Sequence, residues 1–265
     1  MKHYEYILFD LDGTLTESHP GIINAVLYAL KKNGIEETDR EKLLAFVGPP
    51  LTDSFQQYYG MPKEQALRMV DDYREYHQDC GWKENAVYEG IPEILETLRA
   101  QGRKLFVATS KPEPIAIRTV EYFHLDRYIE RVFGASMDES RSQKGRVIAY
   151  ALSEIADISR PEGENVHAPQ SKIGDINRRG ISRSEGEDAF RRGRDVLQQR
   201  NALRLQNVLM VGDRLHDVEG AKENGLPCVG VLYGYGTQKE LEEAGAAAIC
   251  PEVRDLPGVI AALEA

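Results

Sequence analysis

Two aspartates follow the first apolar run of the chain. The run Tyr6–Phe9 leads directly into the segment DLDGTLT, which contains Asp10, Asp12 and Gly13. Side chains alternate along a strand, so Asp10 and Asp12 project to the same side as the strand ends. Two carboxylates this close repel each other unless a cation lies between them or one takes a proton. Mg²⁺ is the cation typical of such oxygen-rich sites, and Gly13 permits a turn that brings backbone N–H groups toward a bound anion.

Hydroxyl groups follow a second apolar run. The segment VATSKP ends this run with Thr109 and Ser110, just before a helix start marked by Pro112. A hydroxyl and the N–H groups of a helix start can together bind an anion. A hydroxyl at this place can equally be a simple helix N-cap.

An ammonium group and two further acids follow later runs. Lys144 begins an apolar helix pattern, where its charge opposes the helix dipole unless an anionic partner lies near it. The run Val208–Val211 ends in GDRLHD, which contributes Asp213 and Asp217. These acids enlarge the group of candidate metal ligands.

These side chains converge only if a parallel sheet positions them. Short apolar runs alternate with amphipathic stretches, and the runs lie at residues 6–9, 105–108, 132–135, 208–211 and 228–231. This alternation predicts an α/β fold, a Rossmann-like parallel sheet with helices on both faces. The carboxyl ends of parallel strands share one edge, where ligands bind. A carboxylate nucleophile, metal-binding acids, a hydroxyl and an ammonium at that edge are the groups that phosphoryl transfer needs.

Residues 16–86 interrupt this alternation. They contain no convincing strand and four helical stretches, near residues 20–33, 39–47, 52–59 and 63–79. The pattern Thr38–Glu41 predicts a capping box before one of them. We therefore expect a helical cap of residues 16–86 inserted into an α/β core made of residues 1–15 and 87–265.

A second irregular segment covers residues 158–204. It holds nine Arg, one Lys and seven acids, so it is basic inside a chain whose net charge is -10. It connects a helix end to a strand start, which predicts that it emerges at the sheet edge opposite the catalytic one. We expect this atypical basic insertion to stay outside the active site.

Composition limits the classes of partner. The net charge of -10 argues against binding nucleic acid or an anionic membrane over a wide surface, and no apolar stretch is long enough for a bilayer. The cysteines, Cys80, Cys228 and Cys250, are odd in number and far apart, as is typical of reduced thiols. We expect a soluble cytoplasmic protein, either monomer or dimer, whose partner is a small phosphorylated metabolite.

The four motifs together carry a resemblance. The order DLDGTLT, VATSKP, Lys144 and GDRLHD resembles the haloacid dehalogenase-like hydrolase superfamily, most closely its phosphoglycolate phosphatase-like branch. The match covers about residues 1–157 and 206–265. It implies a Mg²⁺-dependent phosphatase with a helical cap.

The resemblance also implies residue roles. Asp10 would be the nucleophile that forms an aspartyl-phosphate, and Asp12 the acid/base that protonates the leaving oxygen and then activates water. Thr109, with Ser110 nearby, would hold the phosphoryl group. Lys144 would neutralise the nucleophile and the phosphate.

Metal and cap roles complete this implied site. Asp213 would bind Mg²⁺ with Asp10 and the backbone carbonyl of Asp12, and Asp217 would support the metal directly or through water. The loop VGPPL resembles the cap loop that faces the active site in this branch, where Gly48 would give backbone access to the substrate. A rigid turn between helices is the equal alternative for that loop.

Two other functions stay open from sequence. A phosphomutase of the β-phosphoglucomutase type would use the same core groups, and a noncatalytic binding protein would keep the fold. The physiological substrate is not chosen by these motifs, because selectivity lies in cap side chains.

Overall fold

The computed structural model describes residues 2–138, 140–158 and 207–265. The strands within them are β1 (Tyr6–Phe9), β2 (Thr16–Glu17), β3 (Ala86–Val87), β4 (Lys104–Pro112), β5 (Arg131–Ala135), β6 (Val208–Gly212), β7 (Cys228–Val231) and β8 (Ala248–Cys250). Six of these form one parallel sheet in the order β5-β4-β1-β6-β7-β8. The predicted parallel α/β sheet is confirmed, and β8 is a strand that the sequence pattern missed.

Helices alternate with these strands. They are α1 (His19–Lys32), α2 (Arg40–Leu44), α3 (Leu51–Tyr59), α4 (Lys63–Asp79), α5 (Ile91–Ala100), α6 (Glu113–Tyr122), α7 (Lys144–Ile158), α8 (Leu215–Glu223), α9 (Gln238–Ala244) and α10 (Leu256–Glu264). Short 3₁₀ turns lie at Gly81–Lys83, Leu125–Arg127 and Val253–Asp255. None of the helices in the described ranges is long and apolar enough to cross a bilayer.

The centre of the sheet lies at β1. All four residues of β1 are buried, as expected for a strand covered on both faces. Strands β4 and β6 flank β1, and the chain crosses from β5 on one side to β6 on the other. Strand order therefore reverses beside β1, which is where open α/β sheets bind ligands. Asp10 follows β1 directly at this point, and its N–H donates to the carbonyl of Val211 on β6 (2.9 Å).

The helices α1–α4 form a segment with an apolar core of its own. Phe46 and Phe55 lie at the centre of this four-helix segment with ring centroids 5.0 Å apart, and both are fully buried. The chain enters and leaves the segment through β2 and β3, which pair antiparallel. The four predicted helices are thus present, but the expectation of no strand in residues 16–86 was wrong, because two-residue strands carry no periodic signal.

The start of α2 also differs from its prediction. Asp39 rather than Thr38 is the N-cap, and its carboxylate accepts from the N–H groups of Glu41 and Lys42 (3.0 and 3.2 Å). Thr38 and Asp39 are both good N-cap residues, so the choice between neighbours rests on local backbone geometry.

The chain divides into two compact units. Met1–Ala151 and Asn207–Ala265 form one, which contains both the sheet and the four-helix segment. Leu152–Gln206 form the other, of which the helical residues up to Ile158 are described. The predicted basic insertion at 158–204 lies outside the described residues except for its first position, and its placement stays a prediction.

Candidate active site

Lys144 joins two carboxylates at the carboxyl edge of the sheet. Its Nζ lies 2.8 Å from Oδ1 of Asp10 and 2.8 Å from Oδ1 of Asp217, and it donates to the carbonyl of Ala108 (3.2 Å). Burial alone lowers the pKa of Lys144, but the charges of the two carboxylates outweigh burial and raise that pKa above its ordinary value. The first residue of α7 therefore has the anionic partners that its unfavourable position on the helix dipole requires.

Asp10 is held through one of its two oxygens. Its Oδ1 contacts Lys144 and also accepts from the N–H of Leu11 (2.8 Å). Burial raises the pKa of Asp10 to about 6, with Lys144 opposing and Asp217 adding to that rise. Both polar contacts use Oδ1, which leaves Oδ2 for bond formation.

Asp213 lies fully buried at the end of β6. Its Oδ2 accepts from the N–H of Tyr235 (2.8 Å) and its Oδ1 from the hydroxyl of Thr14 (3.3 Å). Burial, with the charges of Asp217 and Asp10, raises the pKa of Asp213 well above its ordinary value. Asp213 therefore lies where the negative charge of the neighbouring acids exceeds the positive charge near it.

The same acids form a possible cation site. Asp10, Asp213 and Asp217 each offer an oxygen, and these oxygens lie within 4.8 Å of one another. Carboxylate oxygens are ligands that Mg²⁺ prefers, and a divalent cation would supply the missing positive charge. These residues therefore fit a magnesium ion, and the spacing of their oxygens is the structural reason.

Asp12 is placed apart from that cluster. Both of its carboxylate oxygens accept from Nζ of Lys111, at 3.0 and 3.1 Å. Asp12 was expected to bind the metal through its backbone carbonyl, and the pairing of its carboxylate with a lysine is compatible with that expectation, which stays a prediction.

Thr109 and Ser110 lie inside β4, which continues to Pro112. The Oγ of Thr109 accepts from the N–H of Lys111 (3.2 Å), and α6 begins at Glu113 with no side chain capping it. The alternative of a simple N-cap is therefore not what the structure shows.

Most of these side chains border one cavity of about 530 Å³, while the fully buried Asp213 is not among the residues that line it. Its walls include the predicted residues Asp10, Asp12, Thr109, Ser110, Lys144, Asp217 and Gly48. The opposite wall comes from the four-helix segment and includes Phe46, Tyr73 and His77. The loop that carries Gly48 faces the same space as the core motifs.

Gly13 forms the turn that the sequence predicts. Its N–H donates to the carbonyl of Thr16 (2.7 Å) within that turn, and the approach of neighbouring N–H groups to an anion stays a prediction. Its φ is +86°, and a Cβ there would lie 2.3 Å from Oδ2 of Asp213. Gly13 is thus required for the turn and for the close approach of Asp213.

Sequence reasoning missed three side chains that organise the site. Lys111 pairs with Asp12; Arg214 donates to the carbonyl of Val47 (2.7 Å) and to Glu240 (2.8 Å). The hydroxyl of Tyr235 accepts from the N–H groups of Ser18 and His19 at the start of α1 (2.8 and 2.9 Å). Lys111 lies within VATSKP and Arg214 within GDRLHD, so adjacency was the available signal for these two, whereas Tyr235 follows β7, outside the four motifs.

Comparison with known proteins now decides the family. A family model described as haloacid dehalogenase-like hydrolase matches residues 7–156, more than half of the chain, and a second HAD-hydrolase-like model matches residues 190–256. The chain belongs to the haloacid dehalogenase-like hydrolases. The resemblance drawn from the four motifs is confirmed.

Relatives of this haloacid dehalogenase-like hydrolase match it over nearly its whole length. A 5′-nucleotidase of Pseudomonas aeruginosa is 35% identical over 257 residues, covering 97% of this chain and 96% of the relative. The tyrosine-protein kinase PtkA of Mycobacterium tuberculosis is 31% identical over 260 residues, covering 96% of this chain and 73% of that protein. The crystal structure of a predicted phosphatase from Clostridium acetobutylicum superposes with a TM-score of 0.77 at 36% identity, covering 98% and 99% of the two chains.

Proposed function

We propose that this hydrolase is a magnesium-dependent, cytoplasmic phosphatase that cleaves a small phosphomonoester through an aspartyl-phosphate at Asp10. One observation carries the proposal. Three separate chain segments bring Asp10, Thr109 and Lys144 to the same cavity, with Oδ1 of Asp10 bound and its second oxygen left for attack. Family membership supports the reaction class.

In the first step, Oδ2 of Asp10 forms a bond to phosphorus as the ester bond between phosphorus and the leaving oxygen breaks. The proton of Asp12 passes to that leaving oxygen. The Thr109 hydroxyl and the Lys144 ammonium contact the phosphoryl oxygens, and these fixed donors stabilise the negative charge of the transition state.

In the second step, Asp12 is a carboxylate and takes a proton from a water molecule. The oxygen of that water attacks phosphorus, the bond to Asp10 breaks, and inorganic phosphate leaves. Asp12 is thereby protonated again and Asp10 returns as a free carboxylate.

Asp10, Asp213 and Asp217 would hold Mg²⁺, together with the backbone carbonyl of Asp12. When bound, the ion supplies Lewis-acid neutralisation of phosphoryl charge. Tyr235 and Thr14 fix the Asp213 carboxylate through their hydrogen bonds, so the chain itself orients this ligand.

The position of the four-helix segment on the cavity wall is the reason for proposing a small substrate. It contributes apolar and aromatic walls to the cavity, and in the proposed reaction it acts as a lid that excludes water and selects the leaving group. Relatives include a 5′-nucleotidase, a pyrophosphatase and a phosphoglycolate phosphatase, so nucleoside monophosphates, pyrophosphate and phosphoglycolate are the first candidates.

Phosphate release tests this function. The purified protein is assayed with Mg²⁺ and with a chelator against those candidates and a panel of sugar phosphates. We expect free phosphate from at least one substrate with Mg²⁺ and loss of that activity with chelator, restored by added Mg²⁺. An isomerised sugar phosphate without phosphate release would indicate a mutase and contradict the proposal, as would full activity in chelator.

A further inference from the structure

The two adjacent carboxylates of the cavity are paired with two different lysines. Asp10 is bound by Lys144, which also contacts Asp217, whereas Asp12 is bound by Lys111. Each ammonium neutralises a different member of the pair, which relieves the repulsion that their spacing would otherwise cause. The family resemblance implies a role for Lys144, whereas Lys111 has none so far.

The contact between Lys111 and Asp12 fixes the orientation of the Asp12 carboxylate. Nζ of Lys111 lies 3.0 Å from Oδ1 and 3.1 Å from Oδ2, so it sits almost symmetrically on the carboxylate fork. The Lys111 side chain is only 5% exposed and that of Asp12 is 20% exposed. A buried, charge-assisted contact to both oxygens restricts rotation of the carboxylate plane.

The backbone of Lys111 is fixed as well. Its N–H donates to the hydroxyl oxygen of Thr109, the proposed phosphoryl contact, and it lies within β4. The lysine therefore reaches Asp12 from a rigid strand next to the phosphoryl site. Rigid supports of this kind hold a reacting group more accurately than a loop does.

The pair lies at the end of the cavity that the four-helix segment covers. Tyr73 and His77 of α4 stack 5.3 Å apart, line the cavity and are buried next to Asp12 and Lys111. Burial, with the charge of Lys111, lowers the pKa of His77 to about 3, so the imidazole is neutral there. The end of the cavity that contains Asp12 therefore faces the four-helix segment. In the proposed reaction Asp10 attacks from the core side, so the leaving group lies at this end.

We propose that Lys111 is the positioning residue of Asp12, holding its carboxyl group in the orientation in which the acid form gives a proton to the leaving oxygen and the carboxylate then takes one from water. This inference rests on the proposed function. Lys111 acts through Asp12, so its contribution depends on how much the leaving group needs a proton. An alkyl oxygen departs slowly unless it is protonated, whereas p-nitrophenolate departs without a proton.

The test compares kcat/KM for p-nitrophenyl phosphate with kcat/KM for the best alkyl phosphate of the substrate panel. Because kcat/KM reports on steps up to the first irreversible one, it isolates phosphoryl transfer to Asp10. Lys111→Met removes the ammonium, and Lys111→Gln is a polar second variant should the first not fold. Lys104→Met, on the same strand but 41% exposed, is the matched control.

For Lys111→Met we expect a loss of roughly 10- to 100-fold on the alkyl substrate and less than about threefold on p-nitrophenyl phosphate. Lys104→Met should change neither. In an Asp12→Asn background, Lys111→Met should cause no further loss on the alkyl substrate, since the residue it positions is already gone.

Equal losses on both substrates, no loss, or additive losses in the double variant would overturn the inference. A wild-type protein inert toward every phosphate ester would instead overturn the proposed function. These outcomes are distinct, because the first set requires an active wild type.

Discussion

At the residue scale, the candidate site is a problem of charge compensation. The acids Asp10, Asp12, Asp213 and Asp217 meet at one sheet edge, and two buried lysines neutralise part of their charge. Burial, followed by the charges of Asp217 and Asp10, raises the pKa of Asp213, which indicates negative charge around Asp213 that no side chain compensates. A divalent cation fits at this place.

Gly13→Ala tests how closely the backbone at Gly13 packs against the Asp213 carboxylate. An alanine here takes an unfavourable left-handed φ of +86°, and its Cβ would lie 2.3 Å from Oδ2 of Asp213. Gly34→Ala is the control, because its φ is +73° and no atom lies within 4 Å of the added Cβ.

Both variants should lose about 1 kcal/mol of unfolding free energy from backbone strain, measured by urea titration. Gly13→Ala alone should lose more than that and should also lose most Mg²⁺-dependent phosphate release. Equal effects of the two substitutions on stability and activity would show that the contact with Asp213 is unimportant.

Most candidate side chains could be predicted from the sequence, while their pairing could not. Acids directly after buried runs are visible as a pattern, and the parallel sheet then brings them to one edge. The partnership of Lys111 with Asp12 joins residues 99 positions apart and depends on the register of β1 against β4, which pairs Phe9 with Val107. No local pattern encodes that register.

At the element scale, one arginine connects the loop after β6 to the four-helix segment. Arg214 donates to the carbonyl of Val47 and to the carboxylate of Glu240, and its guanidinium lies 2.9 Å from a Cβ built on Gly48. Gly48 has a φ of +106°, so the loop is shaped around this side chain. The VGPPL loop is therefore held over the cavity as well as being a rigid turn.

Arg214→Met should loosen that loop. Losing hydrogen bonds made by a charged group costs about 1.5–3 kcal/mol, so amide exchange at Val47, Gly48 and Leu51 should quicken by roughly tenfold or more. Arg254→Met, whose side chain is 79% exposed, is the control and should leave that exchange unchanged. Unchanged exchange in Arg214→Met would show that the loop is held by other contacts.

Elements were predictable in proportion to their length. Runs of four apolar residues gave correct strands, whereas β8 has three residues, two of them only partly buried, and β2 and β3 have two each. Such short strands exist because neighbouring elements pair with them, and that information is not local.

At the scale of the whole molecule, hydrogen bonds connect a residue of the last helix to a residue before the first strand. Glu264 near the end of α10 accepts from both terminal nitrogens of Arg103 (2.7 and 3.0 Å) and from the N–H of Tyr4 (2.7 Å). The Arg103 side chain is 4% exposed, and it also donates to the carbonyl of Tyr4 (2.8 Å). Hydrogen bonds from Arg103 lower the pKa of Glu264 despite the opposing effect of burial.

Glu264→Gln should lower the free energy of unfolding by about 1–2 kcal/mol at neutral pH, because a charge-assisted bidentate contact is lost. A carboxylate whose pKa is lowered by folding stabilises above its unfolded value of about 4.3, and this stabilisation is lost as the pH falls through the folded value. The difference between wild type and variant should therefore shrink below about pH 4.3 in urea titrations.

Glu252→Gln is the matched control, because Glu252 and its partner Arg254 are largely exposed. An exposed pair contributes about 0–1 kcal/mol, so this variant should stay close to wild type. A pH-independent loss in Glu264→Gln would mean that packing, and not charge, is what the substitution removes.

The overall charge of -10 sets a condition on catalysis, since the proposed substrate is also an anion. Long-range attraction is not available, so binding relies on the local field of Lys144 and a bound cation. Asp10, the proposed nucleophile, lies beside Lys144 in that field, and the proposed function depends on the claim that Asp10 forms the bond to phosphorus.

Phosphate release by Asp10→Asn tests that claim most directly. The variant is measured with Mg²⁺ beside wild type and beside Asp126→Asn, an exposed aspartate outside the cavity walls, with folding checked by circular dichroism. We predict that Asp126→Asn matches wild type and that folded Asp10→Asn is slower by roughly a thousandfold or more. Turnover near the wild-type rate in folded Asp10→Asn would contradict the account.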